Sequence, residues 1–316
     1  MTRSQGFQIS EIPDLNGYVV IVTGGNSGIG YETTLQLAQH GARVYIAGRS
    51  PARVDEAITK MKQTNPGLDV RFLKLDLQDL QSVKAATSEF MQRESRLDIL
   101  INNAGIMACP YGLTKDGYEL QWQTCFLAPH AFTLSLLPLL KSTALQYPNN
   151  KGRVRVVNVA SDAAFLMGPR HIIYDDPNMS GVTGSLSPWK RYGHCKLAFI
   201  LATRALNDRL SGSGVTAYSL HPGLIRSNLQ SSYPGMIGAL ARFSMKITPT
   251  ISPQDGSRTS LYCATSSHAP SHAGRYFVPY GKLDVDRSKW VDDAKEVTKV
   301  WDLADSQLKA SGIYVS

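Results

Sequence analysis

Four cysteines in 316 residues (Cys109, Cys125, Cys195 and Cys263) make no Cys-x-x-Cys pair and no disulfide framework. That pattern fits free thiols in a reducing compartment, and a cytoplasmic location is expected. The seven histidines are scattered, with neither His-x-x-x-His nor His-Glu-x-x-His, so no metal site is expected. No apolar run approaches the roughly 20 residues needed to span a bilayer. The polar start Met1–Asp14 lacks the apolar core of a signal peptide. Repeats, low-complexity tracts and Pro/Gly-rich linkers are also missing, and the whole of 1–316 reads as one domain. The net charge of +8 is carried by Lys and Arg spread along the chain rather than gathered in a tract. Such a diffuse balance suits capture of a small anion better than nucleic-acid binding.

What is present is a rhythm. Short apolar runs at Tyr18–Val22, Val44–Ala47, Val70–Leu75, Ile99–Ile101, Val154–Val159, Thr216–Leu220 and Tyr276–Val278 alternate with helical stretches. Those stretches lie near 28–40, 51–63, 79–93, 117–141, 190–211, 253–265 and 286–310. Strands alternating with helices of this length predict right-handed βαβ units. Near-continuous apolar strands predict a sheet covered on both faces. The expected fold is therefore α/β, a doubly wound, mostly parallel seven-stranded sheet between helix layers. Two segments break the rhythm, 167–188 and 231–253, and both are candidate lids over the carboxyl ends of the strands.

The first strand runs into Thr23-Gly24-Gly25-Asn26-Ser27-Gly28-Ile29-Gly30 and then into a helix. Glycines at 24, 28 and 30 allow a tight turn, close backbone approach to a pyrophosphate and seating of the helix on the strand. A helix N-terminus adds unpaired N–H groups facing the anion. A Walker loop would end in Gly-Lys-Ser/Thr, whereas Gly30 is followed by Tyr31-Glu32, which excludes it. At the end of the second strand, where an acid would select NAD, the chain has Gly48 and then Arg49. A guanidinium there suits a 2′-phosphate and points to NADP(H). Asp76 and Leu77 follow the third strand; an Asp in that place serves an adenine amino group or, more commonly, its own turn. Asn102-Asn103-Ala104-Gly105 closes the fourth strand with small residues that let backbone pass a flat ligand. Ser161 ends the fifth strand, and Tyr192 and Lys196, four apart, share one face of the next helix. An ammonium beside a phenol favours the phenolate, which suits the phenol to proton exchange at a carbonyl or alcohol oxygen.

Taken in order, Thr23–Gly30, Asp76, Asn102–Gly105, Ser161, Tyr192/Lys196 and His221-Pro222-Gly223-Leu224-Ile225-Arg226-Ser227 resemble the short-chain dehydrogenases/reductases. The match covers nearly the whole chain. The thirty-residue gap from Ser161 to Tyr192, the Ala47-Gly48-Arg49 ending and Tyr276-Phe277-Val278-Pro279 look like the retinol-dehydrogenase-like branch. Its members include NADP-dependent reductases of ketones and aldehydes, some in microbial specialised metabolism. The resemblance implies Tyr192 as the acid–base group, Lys196 as its modulator and ribose ligand, and Ser161 as the group orienting the substrate oxygen. It implies Gly24, Ser27, Ile29 and Gly30 at the pyrophosphate and Asp76 and Leu77 at adenine; Asn26, Gly28 and Arg49 are further expected cofactor-binding residues. Asn103, Ala104 and Gly105 would run beside the ribose, with Pro222, Gly223, Ile225 and Ser227 at the nicotinamide end. A small to medium, fairly apolar carbonyl or alcohol substrate is expected. Members of the family often pair through the helices that here are 117–141 and 190–211, which implies a homodimer or homotetramer.

One residue departs from the family. Aligning Leu120–Leu127 puts Cys125 where an Asn helps hold a water chained to the lysine, and a thiol is a weak hydrogen-bonding group. Cys125 therefore predicts either a slower reductase or a cofactor-binding homologue turned to a non-redox task such as cyclisation or isomerisation.

Overall fold

The computed structural model describes residues 6–150, 152–225 and 250–313. Strands form where apolar residues run without a break: β1 (Val19–Thr23), β2 (Arg43–Gly48), β3 (Val70–Lys74), β4 (Ile99–Asn102), β5 (Val154–Val159), β6 (Val215–Leu220) and β7 (Tyr276–Val278). Every residue of β1, β4 and β5 is buried, as two covered faces require. An eighth strand, β8 (Lys282–Leu283), pairs antiparallel with β7 and makes the sheet one strand wider than expected. Two residues carry no readable period, which is why the sequence hides it. The order is β3-β2-β1-β4-β5-β6-β7-β8, parallel up to β7, so the direction of winding reverses between β1 and β4. Ligands of such sheets sit beyond the carboxyl ends of the strands at that reversal.

Helices Gly28–Gln39, Pro51–Thr64 and Pro253–Thr265 cover one face; Leu80–Arg93, Leu120–Gln146, Ser187–Arg209 and Ala294–Ala310 cover the other. Leu120–Gln146 starts three residues later than expected, because a bridge between Leu113 and Glu119 holds the preceding turn. Its second turn, Gln123–Leu127, is π-wound. Contrary to the expectation from the sequence, this helix is long and apolar enough to cross a membrane by length and composition alone. However, 72% of its most apolar stretch is buried inside the protein, so the core accounts for that apolarity. The expected helix 286–310 is two, Val285–Trp290 and Ala294–Ala310, divided where Asp293 caps the second through the Lys295 and Glu296 N–H groups.

Ala294–Ala310 lies over the two helices expected to pair with a second copy. Trp122 donates through Nε1 to Gln307 Oε1 at 2.9 Å, the Trp301 ring stands edge-on to His130, and Arg209 stacks on Trp301 at 4.2 Å. The segment 167–188 is also tied down. Ile173 N–H donates to His194 Nε2, Asn178 Oδ1 accepts from Glu119 N–H, and Arg191 donates to the Val182 carbonyl. Of the second candidate lid, only 250–253 falls within the described residues.

Candidate active site

The glycine loop is built as a cradle. Gly24 and Gly28 take positive φ of 66° and 54°, which a side chain resists. Gly30 is fixed by space instead: a Cβ there would collide with the Gly24 carbonyl oxygen and lie 2.5 Å from Asn103 Nδ2. Ser27 opens the helix Gly28–Gln39 without bonding its hydroxyl to it. The first N–H groups of that helix therefore face the loop's mouth. Asn26 lies near the end of β2, where its Oδ1 is 3.8 Å from the position of a Cβ on Gly48. Ile29 is half-buried.

The other side of the reversal is locked to this loop. Thr23 Oγ1 accepts from the N–H groups of both Asn103 and Ala104, and Asn103 Nδ2 donates to the Thr23 carbonyl at 2.9 Å. Asn103 thus holds the cradle with its side chain, and Ala104 and Gly105 continue along its rim. Asp76 follows the commoner option for its position: Oδ1 accepts from Gln78 N–H and its own N–H bonds Ser82. Leu77 is buried beside it. Arg49 is exposed at the end of β2, and the Lys74 ammonium donates to its carbonyl at 2.6 Å. Lys74 is a second cation at this corner that no motif announced.

Ser161 follows β5, and its Oγ accepts from Ala163 N–H to start a short helix, Ala163–Leu166. That turn lies against the Tyr192 helix with almost no gap. A Cβ on Gly193 would overlap the Gly168 nitrogen and sit 2.5 Å from the Ala163 carbonyl oxygen. The pairing brings the Ser161 turn beside Tyr192, which is 8% exposed. Lys196, buried, donates through Nζ to the Val159 carbonyl at 2.8 Å and lies 5.8 Å from the centroid of the Tyr192 ring. The Trp189 ring stands edge-on to Tyr192 at 6.3 Å.

Cys125 occupies the π-wound turn, and its Sγ accepts from Ile106 N–H at 3.3 Å and donates to the Ile106 carbonyl at 3.2 Å. The thiol makes two bonds to the strand-end loop, which its weak hydrogen-bonding character did not foretell.

Asp162, beside Ser161, is the largest omission of the sequence reading. Its Oδ1 accepts from the Tyr276 hydroxyl at 2.9 Å and from Arg287 at 2.7 Å, and His221 Nε2 lies 3.9 Å from Oδ2. Through Tyr276 and Arg287 one carboxylate thereby ties the end of β5 to β7 and to the helix Val285–Trp290, with His221 close by. Burial pushes the Tyr276 phenol well up, so it stays a donor, and burial holds His221 down as a neutral ring. Pro222, Gly223 and Ile225 follow directly; Ile225 bridges Ile251, and Gly223 has positive φ and packs against Ile251. Arg226 and Ser227 lie outside the described residues. The adjacency of Ser161 and Asp162 and a glycine between Tyr192 and His194 were the only signals available in the sequence.

Two histidines brace the helices behind the site. His194 stacks on Trp122 and accepts from Ile173, and His130 packs against Trp301. Burial lowers each to about 4. The unfolded chain binds these protons near about 6.5 and the native protein does not. Stability should therefore be full above that value and fall as pH drops towards 4, by on the order of 3 kcal/mol per histidine. Buried Glu119, raised by desolvation, has the opposite sign and offsets part of this. Urea unfolding at pH 7, 6 and 5 checks it: His194→Gln should flatten the curve, and an unchanged slope would refute the assignment.

A model of the short chain dehydrogenase family matches residues 18–175. The chain belongs to the short-chain dehydrogenases/reductases. A short-chain dehydrogenase/reductase of Aspergillus calidoustus is 37% identical over 308 residues, covering 94% of this chain and 96% of the relative. Human retinol dehydrogenase 11 is 40% identical over 265 residues, covering 83% of this chain and 77% of the relative. The crystal structure of an uncharacterized protein from Mycobacterium paratuberculosis aligns with a TM-score of 0.73 at 32% identity, covering 96% and 98% of the two chains. This short-chain dehydrogenase/reductase is thus an oxidoreductase of a fold that binds a nicotinamide cofactor, and the cradle fits one. At Gly30 the Gly24 carbonyl and Asn103 Nδ2 leave no room for a Cβ, so the helix seats directly on the loop, whereas a Cβ on Gly28 would meet nothing within 4 Å and that side of the loop is open to a pyrophosphate.

Proposed function

We propose that the protein interconverts a ketone or aldehyde and an alcohol, using NADP(H), on a small to medium apolar substrate. The observation that carries the reading is the Tyr192–Lys196 face, fixed by the bond from Lys196 to Val159 and set against the Ser161 turn through Gly193. When bound, the nicotinamide supplies or accepts hydride at the substrate carbon. Tyr192 holds the proton that the substrate oxygen gains or loses, and Ser161 orients that oxygen by a hydrogen bond. Lys196 keeps a positive charge beside the phenol, favouring its ionised form, and offers its remaining protons to a ribose. Gly24, Asn26, Ser27, Gly28, Ile29 and Gly30 would hold the pyrophosphate, and Asp76 and Leu77 the adenine. Ala104, Gly105, Pro222, Gly223, Ile225 and Ser227 would line the ribose and nicotinamide. Met107, half-buried, and Phe165, packed on Tyr276 and Trp290, offer apolar surface at the substrate end. The four free thiols support a reducing, cytoplasmic setting. The non-redox alternative rested on Cys125, which here makes the bonds expected of a structural residue beside an intact Ser161, Tyr192 and Lys196.

The test is oxidation of NADPH, followed by absorbance, across a panel of apolar ketones and aldehydes. Tight binding without turnover on any of them would sink the proposal. Cofactor choice has its own test. Arg49→Ala should weaken NADPH binding about tenfold or more and leave NADH nearly unchanged, because only the 2′-phosphate loses its fork of donors. Lys74→Ala should add to that loss. Titrating both cofactors by thermal shift reads it, and a retained preference for NADPH would refute the corner.

A further inference from the structure

Asp162 stands at the cap of the short helix Ala163–Leu166, a place where an aspartate ordinarily bonds its own helix, and it makes no such bond. The capping is left to Ser161, whose Oγ accepts from the Ala163 N–H at 3.2 Å. That bond fixes the oxygen and leaves the hydroxyl proton to donate outward. The Asp162 side chain reaches to two other elements instead. Its Oδ1 accepts from the Tyr276 hydroxyl at 2.9 Å and from Arg287 Nη1 at 2.7 Å, so β7 and the helix Val285–Trp290 converge on a single oxygen. Both partners are themselves held. Tyr276 is fully buried and its N–H donates to Ser288 Oγ at 3.2 Å, while Arg287 Nη1 lies 3.3 Å from Asp284 Oδ2. Phe165, on the same turn, packs on Tyr276 and Trp290 with the Arg287 guanidinium 5.3 Å from its ring centroid. The far side of the turn meets the Tyr192 helix, where a Cβ on Gly168 would lie 2.7 Å from the Gly193 carbonyl carbon. The Ser161 turn is thus clamped between that helix and the Asp162 anchor.

We propose that Asp162 is a positioning residue: by anchoring the Ser161 turn to Tyr276 and Arg287, it sets the direction in which the Ser161 hydroxyl meets the substrate oxygen. This rests on the reading of Ser161 and Tyr192 given above. Asp162 exchanges no proton and makes no covalent bond in this role; its effect passes entirely through Ser161. A carboxylate suits the task, because a charge-assisted bond from a guanidinium is shorter and stronger than one between neutral groups. Without it the turn is gripped only through Phe165 and its backbone contact with Gly193, and Ser161 can shift against Tyr192.

Steady-state kinetics of single and paired variants of the full-length protein separate this role from plain stabilisation. Asp162→Ala should lower kcat about thirtyfold and leave NADPH affinity unchanged, since the turn shifts and the glycine cradle does not. Asp162→Asn, which keeps an oxygen for Tyr276 but no charge for Arg287, should restore most of that loss. Arg287→Met leaves the carboxylate in place and speaks even if the alanine variant fails to fold; it should lower kcat about fivefold. The deciding measurement is made in a Ser161→Ala background. There Asp162→Ala and Arg287→Met should each cost less than about twofold more, because the hydroxyl they direct is already gone. A residue that only supports the fold would instead multiply its loss with that of Ser161→Ala. Full multiplication, or an unchanged kcat in both Asp162→Ala and Arg287→Met, would overturn the proposal and leave the reaction standing. A wild type that turns over no carbonyl, or a Ser161→Ala variant as fast as wild type, would refute the catalytic reading, and Asp162 would lose its role with it.

Discussion

Tyr192→Phe is expected to reduce kcat/KM about a thousandfold, or roughly 4 kcal/mol of transition-state stabilisation, with NADPH affinity almost unchanged. The phenyl ring keeps the volume that packs against Trp189 and leaves Lys196 on the Val159 carbonyl, so the local architecture survives. What disappears is the only proton held at the substrate oxygen by a group beside an ammonium. The loss should appear in kcat rather than KM, since the hydroxyl acts on charge that develops during the reaction. Steady-state kinetics with a separate cofactor titration measure both quantities. A variant retaining a tenth of wild-type turnover would remove Tyr192 from its role.

Gly193→Ala should be nearly as damaging, for a different reason. The added methyl would enter the space held by the Gly168 nitrogen and the Ala163 carbonyl, and both are backbone atoms in packed turns. Neither can swing aside as a side-chain end would, so the helix and the Ser161 turn must separate. Overpacking of this kind costs about 1–3 kcal/mol or more. Urea denaturation should show that loss. Turnover of the folded fraction should drop by about a hundredfold, because a displacement of about 1 Å between Ser161 and Tyr192 suffices. Unchanged stability and rate would mean that the close approach does not position the pair.

Much of this was legible in the sequence because strand–helix alternation and the order of the motifs are local or nearly local signals. Gly24, Gly28 and Gly30 announce a backbone requirement, and Tyr192 and Lys196 announce a helical face. The functions of Asn103 and Asp162 were not legible, since each depends on partners 79 to 125 residues away. Asn103 reads as a ligand-side residue but braces Thr23. Asp162 reads as a neighbour of Ser161 but bonds Tyr276 of β7 and Arg287. Lys74 escaped because a cation on an alternating edge strand looks solvated until β3 is laid beside β2. The two-residue β8 and the break at Asp293 have no periodicity to betray them, and Cys125 was undervalued because its bonds go to a loop on another element.

The helix Ala294–Ala310 gives the chain an unusual order of completion. Its buried face, Val297, Val300, Ala304 and Leu308, closes over helices that carry Tyr192 and Cys125, yet it follows both of them in the chain and is made after them. Until then the apolar backs of Leu120–Gln146 and Ser187–Arg209 lie open, although every residue of the glycine cradle and the catalytic trio has already been synthesised. Its synthesis therefore carries a window in which the active-site parts exist but the wall behind them does not, and chaperones have most to gain in that interval.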